Sequence, residues 1–226
     1  MDEQSEPSCC TPVEVRVDPR IARRFDLRAS AWSATTDFPP MADVSAVLLA
    51  RLIDVATRHP SVLELGCGTG ALSIALLERG ADRATGLDLS QTSLQVARRR
   101  AAAAGVDQRV TFIGGNAATA PVEPHDWVIL DRSICCFSDA EGLVGAAIAA
   151  ARERVAITIP ESRGWRGMFN RVRLGVKTVW DELRGGCRSY VHRVDRIEAQ
   201  LARAGFQASA TERTHHGRWL IAVYQR

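Results

Sequence analysis

Residues 62–70 read Val62–Leu63–Glu64–Leu65–Gly66–Cys67–Gly68–Thr69–Gly70, and this stretch decides the fold. The short apolar run predicts a buried strand over Ser61–Leu65, and a helical pattern opens straight after the glycines, over Ala71–Arg79. Glycines let the backbone turn sharply and approach a ligand with no Cβ in the way. The helix start behind them offers unpaired N–H groups to a negative group. Glu64 stands just before the turn, where a carboxylate attracts a cationic amine. The next strand, Ala84–Leu89, carries Asp88, placed 22 residues after Gly66. An acidic residue at that point suits bidentate hydrogen bonding to a ribose diol.

Outward from this core the rhythm continues. A helix is expected over Gln91–Ala104, then strands over Arg109–Ile113 and Trp127–Asp131, a helix over Ala140–Ala151 and a strand over Val155–Ile159. A helix over Arg196–Ala204, closed by Gly205, leads into strands Gln207–Arg213 and Trp219–Tyr224, joined by a turn at His215–Gly217. The alternation predicts an α/β fold: a Rossmann-like, seven-stranded, mostly parallel sheet with helices on both faces and a terminal antiparallel hairpin. Two helices precede it, over Asp18–Ala34 and Ala42–Thr57, separated by Pro39–Pro40. Residues 1–19, with three prolines, read as a flexible arm. Residues 20–226 read as one domain, with 20–58 as a helical cap and 161–190 as an inserted lid helix.

That insertion places Trp165, Met168, Phe169, Val172, Val176, Val179, Trp180 and Leu183 on one helical face, with Arg163, Arg166, Arg171, Arg173 and Lys177 opposite. It reads either as a surface helix packed on the domain, or as a lid or membrane-surface helix over 161–184 that meets an anionic, apolar ligand.

Composition narrows the function. With 226 residues, 46% hydrophobic and 24% charged, the chain has the make-up of a globular protein. A net charge of +3 with dispersed arginines argues against nucleic-acid binding. No apolar run reaches the length of a membrane span, and the acidic start, Met1–Asp2–Glu3, is not a signal peptide, so a cytoplasmic location is expected. The six cysteines, Cys9, Cys10, Cys67, Cys135, Cys136 and Cys187, lack C-x2-C spacing. Neither a disulfide framework nor a metal site is expected.

Two cofactor classes share the glycine-loop layout. Gly66, Gly68 and Ala71 formally satisfy a dinucleotide fingerprint. Glu64, whose charge would face a pyrophosphate, the third glycine at position 70 and the two leading helices favour S-adenosylmethionine. A dinucleotide and a degenerate, non-binding fold stay as alternatives. Glu64–Leu65–Gly66–Cys67–Gly68–Thr69–Gly70 followed by Gly86–Leu87–Asp88–Leu89–Ser90 resembles the class I S-adenosylmethionine-dependent methyltransferases, and the element order resembles them over about 20–226. The resemblance implies that Gly66, Cys67, Gly68 and Gly70 surround the methionine and sugar, with Glu64 near the amino group. It places Asp88 on the ribose hydroxyls, Leu89 over the adenine, and Asn116 and Ala117 beside it. Asn116 stands where the family commonly has an acidic residue, and its amide oxygen can accept the same hydrogen bond. The product implied is S-adenosylhomocysteine.

Within that family, Phe25–Asp26 with Trp32 and the 161–188 insertion look most like the magnesium-protoporphyrin carboxyl methyltransferases, and the resemblance counts Phe25, Trp32 and Asp131 among the cofactor-binding residues. The aromatic or histidine pair usual there is replaced by Cys135–Cys136, which read as small hydrophobes rather than nucleophiles. Asp131 and Arg132, after the fourth strand, are read as lining the floor between donor and acceptor, with Arg132 as a carboxylate clamp. Asp131 reads alternatively as a helix N-cap. His192 is a candidate base, or a capping or surface residue. The expected activity is O-methylation of a small, largely apolar, anionic acceptor. The alternatives are N- or phenol O-methylation in secondary metabolism, and a non-catalytic binding partner. A macromolecular substrate is disfavoured, because Asp131–Arg132–Ser133–Ile134 lacks the N/D-P-P-F/Y/W motif.

Overall fold

The computed structural model describes residues 18–35, 37–54, 58–183, 188–214 and 216–226. The expected arm up to residue 17, Cys9, Cys10, Cys187, His215 and the end of the second expected helix at 55–57 lie outside the described residues.

Seven strands form one sheet: β1 (Ser61–Leu65), β2 (Arg83–Asp88), β3 (Val110–Gly114), β4 (His125–Asp131), β5 (Ala151–Pro160), β6 (Gln207–Thr214) and β7 (Trp219–Gln225). Their order is β3-β2-β1-β4-β5-β7-β6. β1 to β5 pair in parallel, whereas β7 runs antiparallel to both β5 and β6. The helices are α1 (Pro19–Ser30), α2 (Asp43–Asp54), α3 (Ala71–Glu78), α4 (Gln91–Ala103), α5 (Ala140–Ala150), α6 (Gly164–Leu183) and α7 (Val194–Arg203). Local chemistry starts several of them. Asp18 caps α1 by accepting from the Arg20 N–H, with Pro19 in the first turn, and Ser90 and Asp139 cap α4 and α5 through their side chains.

The two-residue period of the strands sorts the core. Leu63 and Leu65 of β1 join Val128, Leu130, Val155 and Ile157 in a core beneath α5 and α7. Val62, Trp127, Ile129 and Ala156 point the other way, into a core shared with α2, α3 and α4. α3 is apolar nearly all round because it is wedged between α2, α4 and the sheet. Alternation also sends Glu64 toward α3, and Asp131 and Thr158 toward α2.

α6 differs from an ordinary packed surface helix. Its buried stripe is Gly167, Asn170, Leu174 and Thr178, while the eight large apolar residues on its other side are all exposed. The reading in which the apolar face packs on the domain therefore fails. Polar contacts fasten the helix instead. Asn170 Nδ2 donates to the carbonyls of Glu161 and Arg218, at 2.9 and 2.8 Å. At Gly167 a Cβ would lie 2.0 Å from the Ser162 carbonyl oxygen, so only glycine permits this approach.

Candidate functional site

The sheet reverses direction of winding between β1 and β4, and a cavity of about 390 Å³ opens at the carboxyl ends of the strands there. This is where an open α/β sheet exposes strand ends to a ligand.

The three loop glycines differ in what requires them. All have positive φ, at 85° for Gly66, 52° for Gly68 and 72° for Gly70. A Cβ on Gly66 would meet Ser133 Cβ at 2.6 Å, and one on Gly70 the Phe112 ring at 2.9 Å, so these two pack the loop against the protein. At Gly68 a Cβ would meet nothing, because that backbone faces the cavity. Gly70 lies outside the cavity lining and serves as the N-cap of α3.

Asp88 is built into this loop. Its Oδ2 accepts from the Gly68 N–H and its Oδ1 from the Ser90 N–H, both at 2.8 Å. Burial raises its pKa above the usual carboxylate value against the pull of those two donors. Each oxygen keeps a lone pair for a diol, so the residue links glycine loop and ligand. Asp26 docks α1 on the turn between β2 and α4, accepting from Ser90 Oγ at 2.6 Å and from the Thr92 N–H at 3.0 Å.

Glu64 is buried on the cavity floor, and its pKa is pushed up to about 8. Burial is the main cause; the Ser73 hydroxyl and N–H, both donating to Oε2, oppose it, and the nearby charges of Asp131 and Asp88 add to it. A cationic ligand group beside it would supply the counter-charge that the fold withholds. Cys67 is a buried thiol with its pKa pushed well up by burial, and so a small neutral wall residue.

Asp131 also lines the cavity, fixed by Ser45 Oγ from α2 on one oxygen and by Thr158 Oγ1 from β5, at 2.7 Å, on the other. Sequence reading missed both partners. Asp131 is not a helix cap, since the 3-10 turn Ile134–Cys136 begins after Ser133. Arg132 is exposed at the cavity with φ of 55°, a costly conformation for a residue with a Cβ.

Phe25, Trp32, Leu89 and Ala117 line the cavity as well, whereas Asn116 does not, and its amide oxygen accepts from the Ala118 N–H at 3.0 Å. His192 is not brought to the cavity. Its Nε2 lies 2.7 Å from the Phe137 carbonyl and its ring stacks on Tyr190. Burial lowers its pKa. That placement fits an anchor for the segment after α6, not a base at the acceptor. Cys135 and Cys136 both line the cavity, and Cys136 also packs against the core under α5. Three further cations line it, Arg24 and Arg28 from α1 and Lys177 from α6. Their signal was in the sequence: Ile21, Arg24, Phe25, Arg28 and Trp32 recur at helical spacing on one face.

Residues 62–155 match a family model described as a methyltransferase domain. Among curated proteins, the chain is 33% identical over 147 residues to the ubiquinone biosynthesis O-methyltransferase of Hahella chejuensis, covering 63% of this chain and 60% of that one. It is 32% identical over 119 residues to the same-named protein of Azoarcus sp., covering 49% of each. It thus spans about half the length of the curated relatives it matches. Among solved structures, the magnesium protoporphyrin IX methyltransferase of Synechocystis PCC 6803 with bound SAH superposes with a TM-score of 0.69 at 20% identity, over 91% of this chain and 97% of that one. An O-methyltransferase family protein of Burkholderia thailandensis gives 0.66 at 19% identity, over 90% of this chain and 60% of that one.

Proposed function

We propose that this chain, whose fold is that of the class I S-adenosylmethionine-dependent methyltransferases, transfers a methyl group to an oxygen of a small, largely apolar, anionic acceptor. The observation that carries the reading is the mixed chemistry of one cavity. Glu64 and Asp88 stand at its glycine-loop end, and its lining also includes four cations, Arg24, Arg28, Arg132 and Lys177, and the aromatic Phe25, Trp32, Phe137 and Trp219.

The first end fits the cofactor. Glu64 lacks a cation that the amino group would provide, the Gly68 backbone leaves room for close approach, and Asp88 has acceptor capacity for the ribose hydroxyls. S-adenosylmethionine, when bound, supplies a methyl group activated by its sulfonium. The chain's residues then have to align and dehydrate. Phe25, carried by α1, and Trp32, in the turn just after it, wall the cavity from solvent. Arg132 holds an acceptor carboxylate in one plane without giving it a proton. A carboxylate acceptor needs no general base, which agrees with His192 being turned to the Phe137 carbonyl.

The test is transfer of labelled methyl from S-adenosylmethionine to fractionated small acids, with Asp88→Ala beside the parent chain. Label that mild base removes marks a methyl ester; base-stable label marks a phenol ether or an amine and corrects the acceptor class. Asp88→Ala should weaken cofactor binding by about a hundredfold or more, since it removes both the ribose contact and the Gly68 tether. Unchanged affinity would sink the cofactor assignment.

A further inference from the structure

We infer that α6 is a membrane-docking element: it lays its exposed apolar face into the headgroup boundary of an anionic lipid bilayer. This goes beyond the methyl-transfer reading and does not depend on it.

The helix is fastened inside out. Asn170 and Thr178 hold it through hydrogen bonds to carbonyls of the domain, so the face with the largest apolar side chains is left to solvent. Exposure there runs from 48% at Phe169 to 78% at Leu183. At 100° per residue, these side chains fall within an arc of about 120° along a helix of about 30 Å. Trp165 and Trp180 stand near its two ends, with aliphatic residues between them. A contiguous apolar strip of this size is unusual on a soluble surface and marks an interaction site.

Charge selects the occupant. Arg166, Arg173 and Lys177 border the strip on one side and Arg171 on the other, while Asp181 is paired with Lys177 and Arg24. Basic residues flanking an aromatic and aliphatic face are the pattern of a helix lying in an anionic membrane interface. A second copy of the chain fits less well. Antiparallel face-to-face packing of two such helices would bring the flanking arginines of both copies together and oppose like charges. Among the described residues no helix is long and apolar enough to cross a membrane, so the contact is peripheral. Lys177 also lines the cavity. Docking through α6 would therefore set the cavity beside the bilayer surface, where apolar molecules concentrate.

The experiment is co-sedimentation of the full chain with vesicles of phosphatidylcholine containing about a third phosphatidylglycerol, against phosphatidylcholine alone. The parent chain should pellet with the anionic vesicles and bind neutral ones about tenfold or more weakly. The double variant Val172→Glu, Val176→Glu alters two exposed positions, so it should keep the parent's thermal midpoint and lose binding about tenfold or more. Three results would overturn the proposal: a parent chain that stays in the supernatant, a double variant that binds as the parent does, or a concentration-dependent dimer in sedimentation velocity that the variant abolishes. Because the readout is binding to lipid, it stands or fails separately from cofactor binding by Asp88.

Discussion

Glu64 at the end of β1 and Glu161 just past β5 are almost equally buried, at 3% and 2% exposure, yet the fold holds them in opposite charge states. Burial alone pushes both carboxyls up. At Glu161 it is outweighed, and the pKa sits at about 2. The Ser162 and Arg163 N–H groups and Arg163 Nε donate to one oxygen, and Arg213 Nε donates to the other at 2.9 Å. At Glu64, among the described residues, only Ser73 donates, to one oxygen, and two further carboxylates stand nearby, leaving the pKa at about 8. A buried charge with its counter-charge built in is structural; one left short is poised for a ligand. Glu161 anchors the start of α6, and Glu64 lies on the cavity floor.

The largest effect should come from breaking the satisfied member. Glu161→Ala leaves Arg163 and Arg213 facing each other and removes the anchor before α6. We expect a loss of about 2–3 kcal/mol in urea unfolding at neutral pH, the lower end favoured because both arginines are partly exposed. The pH profile gives the signature. A folded pKa below the unfolded one contributes stability that is present above about 4.5 and is lost as pH falls toward about 2. The parent chain should lose that increment on the acid limb and Glu161→Gln should not. Equal acid limbs would show that Glu161 is not the group held down.

A smaller effect, of opposite sign, belongs to Glu64. Its folded pKa exceeds the unfolded value, so its contribution is present below about 4.5 and is lost as pH rises through about 8. At neutral pH it is therefore mostly protonated in the ligand-free chain. A ligand bearing an ammonium should ionise it, so that binding releases up to one proton near pH 7. Affinity for S-adenosylmethionine should fall roughly fivefold from pH 8 to pH 7. Calorimetry in buffers of different ionisation enthalpy measures the proton directly. Glu64→Gln should abolish both the release and the pH slope; if the slope persists, another group titrates.

Much of this was legible in the chain order. Ser61–Leu65 is the strand the apolar run predicts, and the glycine loop, Asp88 and Asp131 meet at one cavity as their strand ends require. β5 starts at Ala151 rather than Val155, because Arg152, Glu153 and Arg154 hide the strand's beginning. Arg154 is nevertheless buried, its guanidinium 5.1 Å from the Trp127 ring. The orientation of α6 was hidden for a different reason. Periodicity finds a helix and its apolar face, but which face docks depends on the carbonyls of Glu161 and Arg218 and on the room at Gly167. Those are tertiary facts. Ser45 and Thr158 were invisible as partners of Asp131 for the same reason, being 86 and 27 residues away in the chain.

The finest test of the contrast removes one donor from each glutamate. Ser73→Ala deletes the hydroxyl on Glu64 and leaves the backbone N–H at 3.1 Å as its remaining Ser73 donor. The cost to stability should be only about 1 kcal/mol, because the carboxyl is already protonated at neutral pH and needs less from its neighbours. What should move is the midpoint of pH-dependent cofactor binding, upward from about 8, since a donor that favours the ionised form is gone. Arg213→Ala removes one of the two donors to Oε2 of Glu161, while Arg163, which reaches both oxygens, and two backbone N–H groups remain on the carboxylate. Its acid midpoint should rise but stay below the ordinary carboxylate value. If neither Ser73→Ala nor Arg213→Ala moves its midpoint, then the donors do not set the two charge states, and long-range fields from the strand ends must.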